Sequence, residues 1–303
     1  MAQLTPTIID QQSGENWTAI HGDCVEALRD IPENSVGLSV FSPPFSSLYI
    51  YSQSERDMGN VDDDEQFQAS YRHVCEQLYR VTKPGRLCAI HVKDLVYYSN
   101  SSDKGDRGIR DFTGECIRTH QAAGWTYHTR ITIWRCPVRE MQKTKPDGLL
   151  FRNFRLDAAR VRVGMPEYLI LFRKWADGEQ APPVVHDPAQ FPLETWQEWA
   201  SPVWMDTDQM DVLNVRTARS DEAERHLCPM PLDLSARAIQ LWSNPGDIVL
   251  TPFMGIGSEV VAALRHGRKA IGIELNPNYY AQAVKYAREA EANARTLFDG
   301  VPA

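Results

Sequence analysis

An α/β fold built on a parallel sheet is what this sequence predicts, and three observations predict it. Short apolar runs of strand length alternate with segments of helical spacing at both ends of the chain. Glycine and proline turns such as Asn244-Pro245-Gly246-Asp247 punctuate the boundaries. The composition is that of an ordinary globular protein, 43% hydrophobic and 24% charged over 303 residues, enough for one large domain or a domain with an insertion. Strands separated by helices imply a sheet covered on both faces.

The elements follow in order. Trp17 to Ile20 is a short strand, His21-Gly22-Asp23 turns the chain, and Cys24 to Arg29 has helical spacing. Ser35 to Phe41 alternates like a buried strand, and Pro43 and Pro44 forbid its continuation. Glu65 to Val81 repeats apolar residues at helical intervals and stops at Lys83-Pro84-Gly85, with a strand from Arg86 to Val92. Asp111 to Ala123 reads as helix, Thr126 to Trp134 as strand, and Tyr168 to Phe172 as strand. Residues 176–225 are rich in proline and tryptophan and read as irregular. Alternation resumes with a helix over Leu232 to Trp242, a strand over Ile248 to Thr251 and a helix from Ser258 to His266. A strand over Lys269 to Leu275 and a last helix from Asn278 complete the series.

Bulk properties exclude several classes. No apolar run approaches the ~20 residues of a membrane helix, and Met1 to Asp10 has neither the basic start nor the apolar core of a secretory signal. A cytoplasmic location is expected. The six cysteines include no Cys-x-x-Cys pair, so no metal site is expected, and those in apolar stretches read as small buried residues. The histidines His73, His91, His120, His128, His186 and His226 make no ligand spacing and receive no role. Net charge is −8, yet Arg130 to Lys174 holds eleven Arg or Lys against four acids. The next stretch, 175–215, holds eight acids and no Lys or Arg. A local basic face can bind phosphates while the whole molecule is acidic.

Two motifs carry the chemistry. In Phe253-Met254-Gly255-Ile256-Gly257-Ser258, a strand enters a turn with two glycines and then a helix, so backbone can approach a ligand and helix amides can donate to it. Alone, such a loop equally fits a tight turn. Glu274, about twenty residues after the strand, adds a carboxylate spaced to grip a ribose, which favours a nucleoside ligand. Ser42-Pro43-Pro44-Phe45 leaves a buried strand at an edge where α/β proteins bind ligands. An exocyclic base amine is a poor nucleophile because its lone pair is delocalised. The Ser42 hydroxyl and the Pro43 carbonyl could accept its hydrogens and free that pair, with Pro44 stiffening the corner and Phe45 stacking on the base; taken alone, the tetrapeptide fits better a proline-rich exit from a strand with Phe45 in the core.

These segments together resemble the amino-group DNA methyltransferases. His21-Gly22-Asp23-Cys24, Pro32-Glu33-Asn34-Ser35-Val36 and Ser42-Pro43-Pro44-Phe45 are similar to that family's start. Cys228-Pro-Met-Pro-Leu-Asp-Leu234, Asn244-Pro-Gly-Asp247, Pro252-Phe-Met-Gly-Ile-Gly-Ser258 and Gly272-Ile-Glu274 are similar to its cofactor half. Catalytic motif first and cofactor motif last is the order of the permuted β group, and the closest look is to solitary enzymes of phages and mobile elements. The resemblance implies a Rossmann-like, seven-stranded S-adenosylmethionine-dependent methyltransferase sheet. Its halves would be a catalytic one over 17–135 and a cofactor-binding one over 226–290, flanking a target-recognition insert over 136–225. It implies that Ser42, Pro43, Pro44 and Phe45 bind and activate the amine. Phe253, Gly255, Gly257 and Ser258 would cradle S-adenosylmethionine, Glu274 would take its ribose, Asp23 would lie near its adenine, and Pro231 would touch its methionine end. Thr251 stands where the family carries an acid, and Glu259 is the candidate substitute.

The reaction expected is methyl transfer to the N4 amine of cytosine in duplex DNA by base flipping, with the N6 amine of adenine as the alternative. An RNA or protein methyltransferase and a catalytically silent DNA-binding subunit are weaker alternatives. A C5-cytosine enzyme would need a cysteine after a proline, and the chain has no Pro-Cys. Arg135, Arg139, Lys143, Lys145, Arg152 and Arg155 are the expected DNA contacts. The resemblance is compatible with a homodimer and with a cognate restriction endonuclease, which such an enzyme does not require.

Overall fold

The computed structural model describes residues 8–44, 64–99, 104–143, 151–160, 164–175, 177–214 and 229–298. The first half of the chain gives β1 (Ile8–Ser13), β2 (Trp17–Gly22), α1 (Cys24–Ala27), β3 (Val36–Phe41), α2 (Asp64–Val81), β4 (Thr82–Val92), β5 (Leu95–Tyr97) and β6 (Gly108–Arg110). Next come α3 (Phe112–Ala122), β7 (Thr126–Ile133), α4 (Pro137–Lys143), α5 (Phe151–Leu156), β8 (Glu167–Arg173), α6 (Leu193–Trp199) and β9 (Val203–Trp204). The chain closes with α7 (Leu232–Trp242), β10 (Ile248–Thr251), α8 (Ser258–Arg265), β11 (Lys269–Glu274) and α9 (Pro277–Phe298). Among the described residues no helix is long and apolar enough to cross a membrane.

One sheet of nine strands runs β1-β2-β11-β10-β3-β4-β8-β7-β9, and β5 and β6 form a separate hairpin. The expected seven strands are its centre, with β1 and β9 added at the edges. β1 escapes sequence reading because Asp10, Gln11 and Gln12 give it no apolar alternation, and β9 is only two residues long. From β2 to β4 the strands are parallel, whereas β8 runs antiparallel to both β4 and β7. β8 falls inside the stretch 136–225 expected as an insert, yet it lies in the middle of the sheet. Its run Leu169-Ile170-Leu171-Phe172 is wholly buried, as a strand covered on both faces must be. The strand expected from Arg86 begins instead at Thr82, directly after α2, and runs through Pro84 and Gly85.

Alternate residues of the central strands face opposite cores. Leu38, Val40, Ala89 and Val249 pack under α7, α8 and α9, while Phe41, Cys88, Ile90 and Leu250 pack under α1, α2 and α3. Cys24, Cys75, Cys88 and Cys116 are buried free thiols, Cys136 is half-buried, and Cys228 lies outside the described residues. Among the tryptophans of the second half, Trp204 is fully buried and Trp199 lies against the core, but Trp175 and Trp196 are exposed.

A buried charge sets the centre of the sheet. Asp247, at the head of β10, reaches across β3 to Arg86 at 3.2 Å and Lys83 at 3.0 Å on β4. It passes over Gly37, where a Cβ would come within 2.6 Å of its carboxyl carbon. Such a pair adds little net stability but is costly to break, so it fixes how three strands lie together.

Candidate active site

The carboxyl ends of β2, β11, β10, β3 and β4 share one edge of the sheet, and nearly every expected site residue lies along it. β3 and β10 are hydrogen-bonded neighbours, with Leu38 opposite Val249 and Ser39 opposite Leu250. Two motifs some two hundred residues apart in sequence therefore leave adjacent strand ends. Phe41 of β3 and Phe253 of the glycine loop meet with ring centroids 5.7 Å apart.

The glycine loop is shaped by its backbone. Gly255 and Gly257 take φ of 54° and 93°, which disfavour side chains. At Gly257 a Cβ would also press against Ala283 of α9 at 3.2 Å, whereas at Gly255 it would meet only open space. The Gly255 amide donates to one oxygen of Glu274 at 2.7 Å, and the Asn276 amide donates to the other at 2.7 Å. The carboxylate expected at a ribose is thus held rigidly between the β10 loop and the end of β11. Asp23 follows β2, the next strand along, and accepts the Val25 amide at 2.8 Å as the cap of α1. Asp23 and Glu274 share a neighbourhood: burial pushes the Cys24 thiol up, and the charges of both acids push it further. Pro231 starts α7, which leads into β10, so helix direction brings it to this same edge.

Three polar groups lie buried near the loop. The Thr251 and Ser258 hydroxyls have no hydrogen-bond partner among the described residues. Glu259, in the first turn of α8, is almost wholly inaccessible. Burial pushes its carboxyl up to about 8, against the pull of its own backbone amide and with the push of Glu274's charge.

The other side of the edge contains an arrangement that sequence reasoning missed. Ser42 follows β3, and its Oγ lies 3.3 Å from Nδ1 of His91, near the end of β4. Nε2 of His91 lies 2.8 Å from Glu167 Oε2, and Arg135 reaches Glu167 Oε1 at 2.8 Å. Because β8 is antiparallel, its first residue, Glu167, arrives at the edge where the parallel strands end. Burial opposes the Glu167 charge, but the hydrogen bond from His91 and the positive charges of Arg135 and Lys93 hold its carboxyl well below the usual carboxylate range. The one sequence signal for His91 was a polar residue between Ile90 and Val92 at the end of an apolar strand.

Arg135, expected at DNA, is instead mostly enclosed, paired with Glu167 in the site. Arg139 on α4 and Arg155 on α5 are exposed. Lys143 and Arg152 lie on the same two helices, and Phe45 and Lys145 lie outside the described residues. Pro43 is buried and Pro44 half-buried.

A sheet of this order, with a glycine loop and a Ser-Pro-Pro corner on neighbouring strand ends, has the architecture of the Rossmann-like methyltransferases. The chain belongs to the N6/N4 DNA methylase family, whose pattern matches residues 36–285. It is 25% identical over 287 residues to the Type II methyltransferase M.MjaI of Methanocaldococcus jannaschii, covering 86% of this chain and 88% of that protein. It is 27% identical over 287 residues to the DNA adenine methyltransferase YhdJ of Escherichia coli, covering 89% and 82%. Its fold matches a Thermus thermophilus protein named as a DNA modification methylase and solved with S-adenosyl-L-methionine. The TM-score is 0.65 and the identity 25%, over 91% of this chain and 95% of that one.

The Glu259 environment makes ligand-free stability depend on pH. A carboxyl raised from 4.5 to about 8 on folding binds its proton more tightly in the native state. Stability from this group is therefore lost as pH rises between those values, by up to ~1.4 kcal/mol per pH unit. Urea unfolding from pH 5 to 8 should show Glu259→Gln losing less stability than the wild type; identical pH slopes would remove the buried-acid reading.

Proposed function

We propose that this chain transfers a methyl group from S-adenosylmethionine to the exocyclic N4 amine of cytosine, at specific sites in duplex DNA. The observation that carries this reading is the adjacency of β3 and β10, which sets Ser42-Pro43-Pro44 beside the glycine loop. The bound S-adenosyl-L-methionine of the Thermus thermophilus relative supports the cofactor, and the buried, unpartnered Thr251 and Ser258 hydroxyls beside the loop fit a polar ligand. In this reading Phe253, Gly255, Gly257 and Ser258 cradle the cofactor, Glu274 takes its ribose, and Asp23 lies at its adenine. Pro231 and Thr251 border the methionine end, where Glu259, once beside the cofactor's ammonium, is held ionised and replaces the acid that Thr251 lacks.

S-adenosylmethionine supplies a methyl group activated by a positively charged sulfur. The chain's part is to expose, hold and polarise the acceptor. The base leaves the stack, since its amine is out of reach inside the duplex. Ser42 and the Pro43 carbonyl accept the amine's hydrogens, and Phe45 stacks on the ring. Holding the nitrogen in line with the methyl group provides most of the rate enhancement. Motif order supports the permuted β group. Arg139, Lys143, Lys145, Arg152 and Arg155, on and between α4 and α5, bind phosphates, and the part of 136–225 outside β8 reads the target. A second reading is the N6 amine of adenine, the base named for the Escherichia coli relative.

Nucleosides from DNA of a methylation-free host expressing the protein separate the two. N4-methyldeoxycytidine in the mass spectrum is the expected result, N6-methyldeoxyadenosine selects the second reading, and neither base overturns both. Glu274→Ala should weaken S-adenosylmethionine binding by about 1.5–3 kcal/mol, the worth of a hydrogen bond to a charge; an unchanged calorimetric dissociation constant would move the ribose elsewhere. Reversing Arg139 and Arg155 to Glu should flatten the plot of log affinity against log salt by ~0.9 per lost phosphate contact. An unaltered slope would place DNA on another face.

A further inference from the structure

Ser42, His91 and Glu167 form a hydrogen-bonded chain that starts at the proposed amine-binding hydroxyl, and Arg135 is ion-paired with Glu167 at its far end. The directions of its hydrogens follow from that end. Glu167 is ionised at neutral pH and can only accept, so His91 Nε2 must donate to Oε2. A neutral imidazole that donates from Nε2 presents a lone pair at Nδ1. The one group within hydrogen-bond reach of that lone pair among the described residues is the Ser42 hydroxyl, which therefore donates to it.

This orientation bears on the reaction. A hydroxyl has one hydrogen and two lone pairs. If that hydrogen pointed at the target amine, it would compete for the lone pair that must attack. With it committed to His91, both Ser42 lone pairs can accept from the amine. We infer that His91, oriented by Glu167 and Arg135, is a positioning residue that takes the hydroxyl hydrogen of Ser42 and serves as the final acceptor of the proton the target amine must lose. The inference rests on the methyltransferase reading of the site and deepens it.

The step balances within groups already named. The amine nitrogen forms a bond to the methyl carbon as the carbon–sulfur bond breaks, its electron pair staying on sulfur. The nitrogen sheds one proton to Ser42 Oγ as Ser42 passes its own to His91 Nδ1. The product pair is a neutral methylated amine and an imidazolium against the Glu167 carboxylate, and the proton later leaves to water. The sequence serine, histidine, acid is that of the nucleophilic hydrolases, but with the two ring nitrogens exchanged and a different use, because Ser42 forms no bond to carbon. The charged group facing the ring is Glu167 from β8, on which the charges of Arg135 and of Lys93, two residues along from His91, also act.

Two measurements test the inference. In the ligand-free protein, nitrogen-15 imidazole spectra at neutral pH should show His91 protonated on Nε2 and bare on Nδ1; a proton on Nδ1 would overturn it. Single-turnover methyl transfer from labelled S-adenosylmethionine to DNA of a methylation-free host is the second readout. His91→Asn offers Ser42 an amide oxygen that accepts but has no useful basicity. It should lower the single-turnover rate about 100-fold or more, the usual worth of a general base. The cofactor dissociation constant should stay close to that of the wild type, while the melting temperature falls because Glu167 loses a buried partner. A rate within about threefold of the wild type, or a loss of cofactor affinity that matches the loss of rate, would reduce His91 to a structural role. Failure of the wild type to label DNA would sink the methyltransferase reading itself, a result distinct from either.

Discussion

The pairing of β3 with β10 is the constraint on which the rest of the structure depends. Two parallel strands that exchange hydrogen bonds must end side by side, whatever the length of chain between them. Here that length carries most of the molecule, yet the Ser-Pro-Pro corner and the glycine loop leave neighbouring positions on one edge. The Asp247 bridge to Arg86 and Lys83 spans the same three strands and leaves no room for a side chain at Gly37. Buried charge is costly, so this bridge selects one arrangement of strands more than it adds stability.

Direction matters as much as adjacency. Parallel strands deliver their carboxyl ends to the site, which is why ligands collect there in open α/β sheets. β8 alone among the central strands arrives the other way, and it delivers Glu167 from its amino end. A carboxylate so enclosed survives ionised only with strong partners, and His91 and Arg135 provide them. Glu259 shows the converse. Equally buried but with no cation beside it among the described residues, its carboxyl is pushed up to about 8. These two buried acids are thus poised oppositely, one locked as an anion and one holding its proton until the pH approaches 8.

Much of this was legible in the residues. α7 spans Leu232–Trp242 as its apolar spacing predicts, and β2, β3, β7, β8, β10 and β11 fall where short apolar runs meet turns. The motifs were legible too, because Ser-Pro-Pro and the glycine loop are local devices whose chemistry depends on a few adjacent residues. What eluded the sequence was whatever depends on a distant partner. β1 and β9 are strands only because β2 and β7 offer them an edge. Arg135 resembles its basic neighbours in sequence, and only Glu167, brought beside it by the antiparallel turn of β8, separates it from the exposed Arg139. His91, with no motif around it, acquires a role only through Ser42 and Glu167.

The sequence by itself determined the fold class, the family and the two loops that define its chemistry, since periodicity and turn chemistry are written over a few residues at a time. Tertiary structure decided which charged groups face one another, because that follows from strand order and strand direction, which no local pattern encodes. His91 Nδ1 stands beside Ser42, and not against solvent, because β4 lies next to β3 and β8 runs backwards beside it.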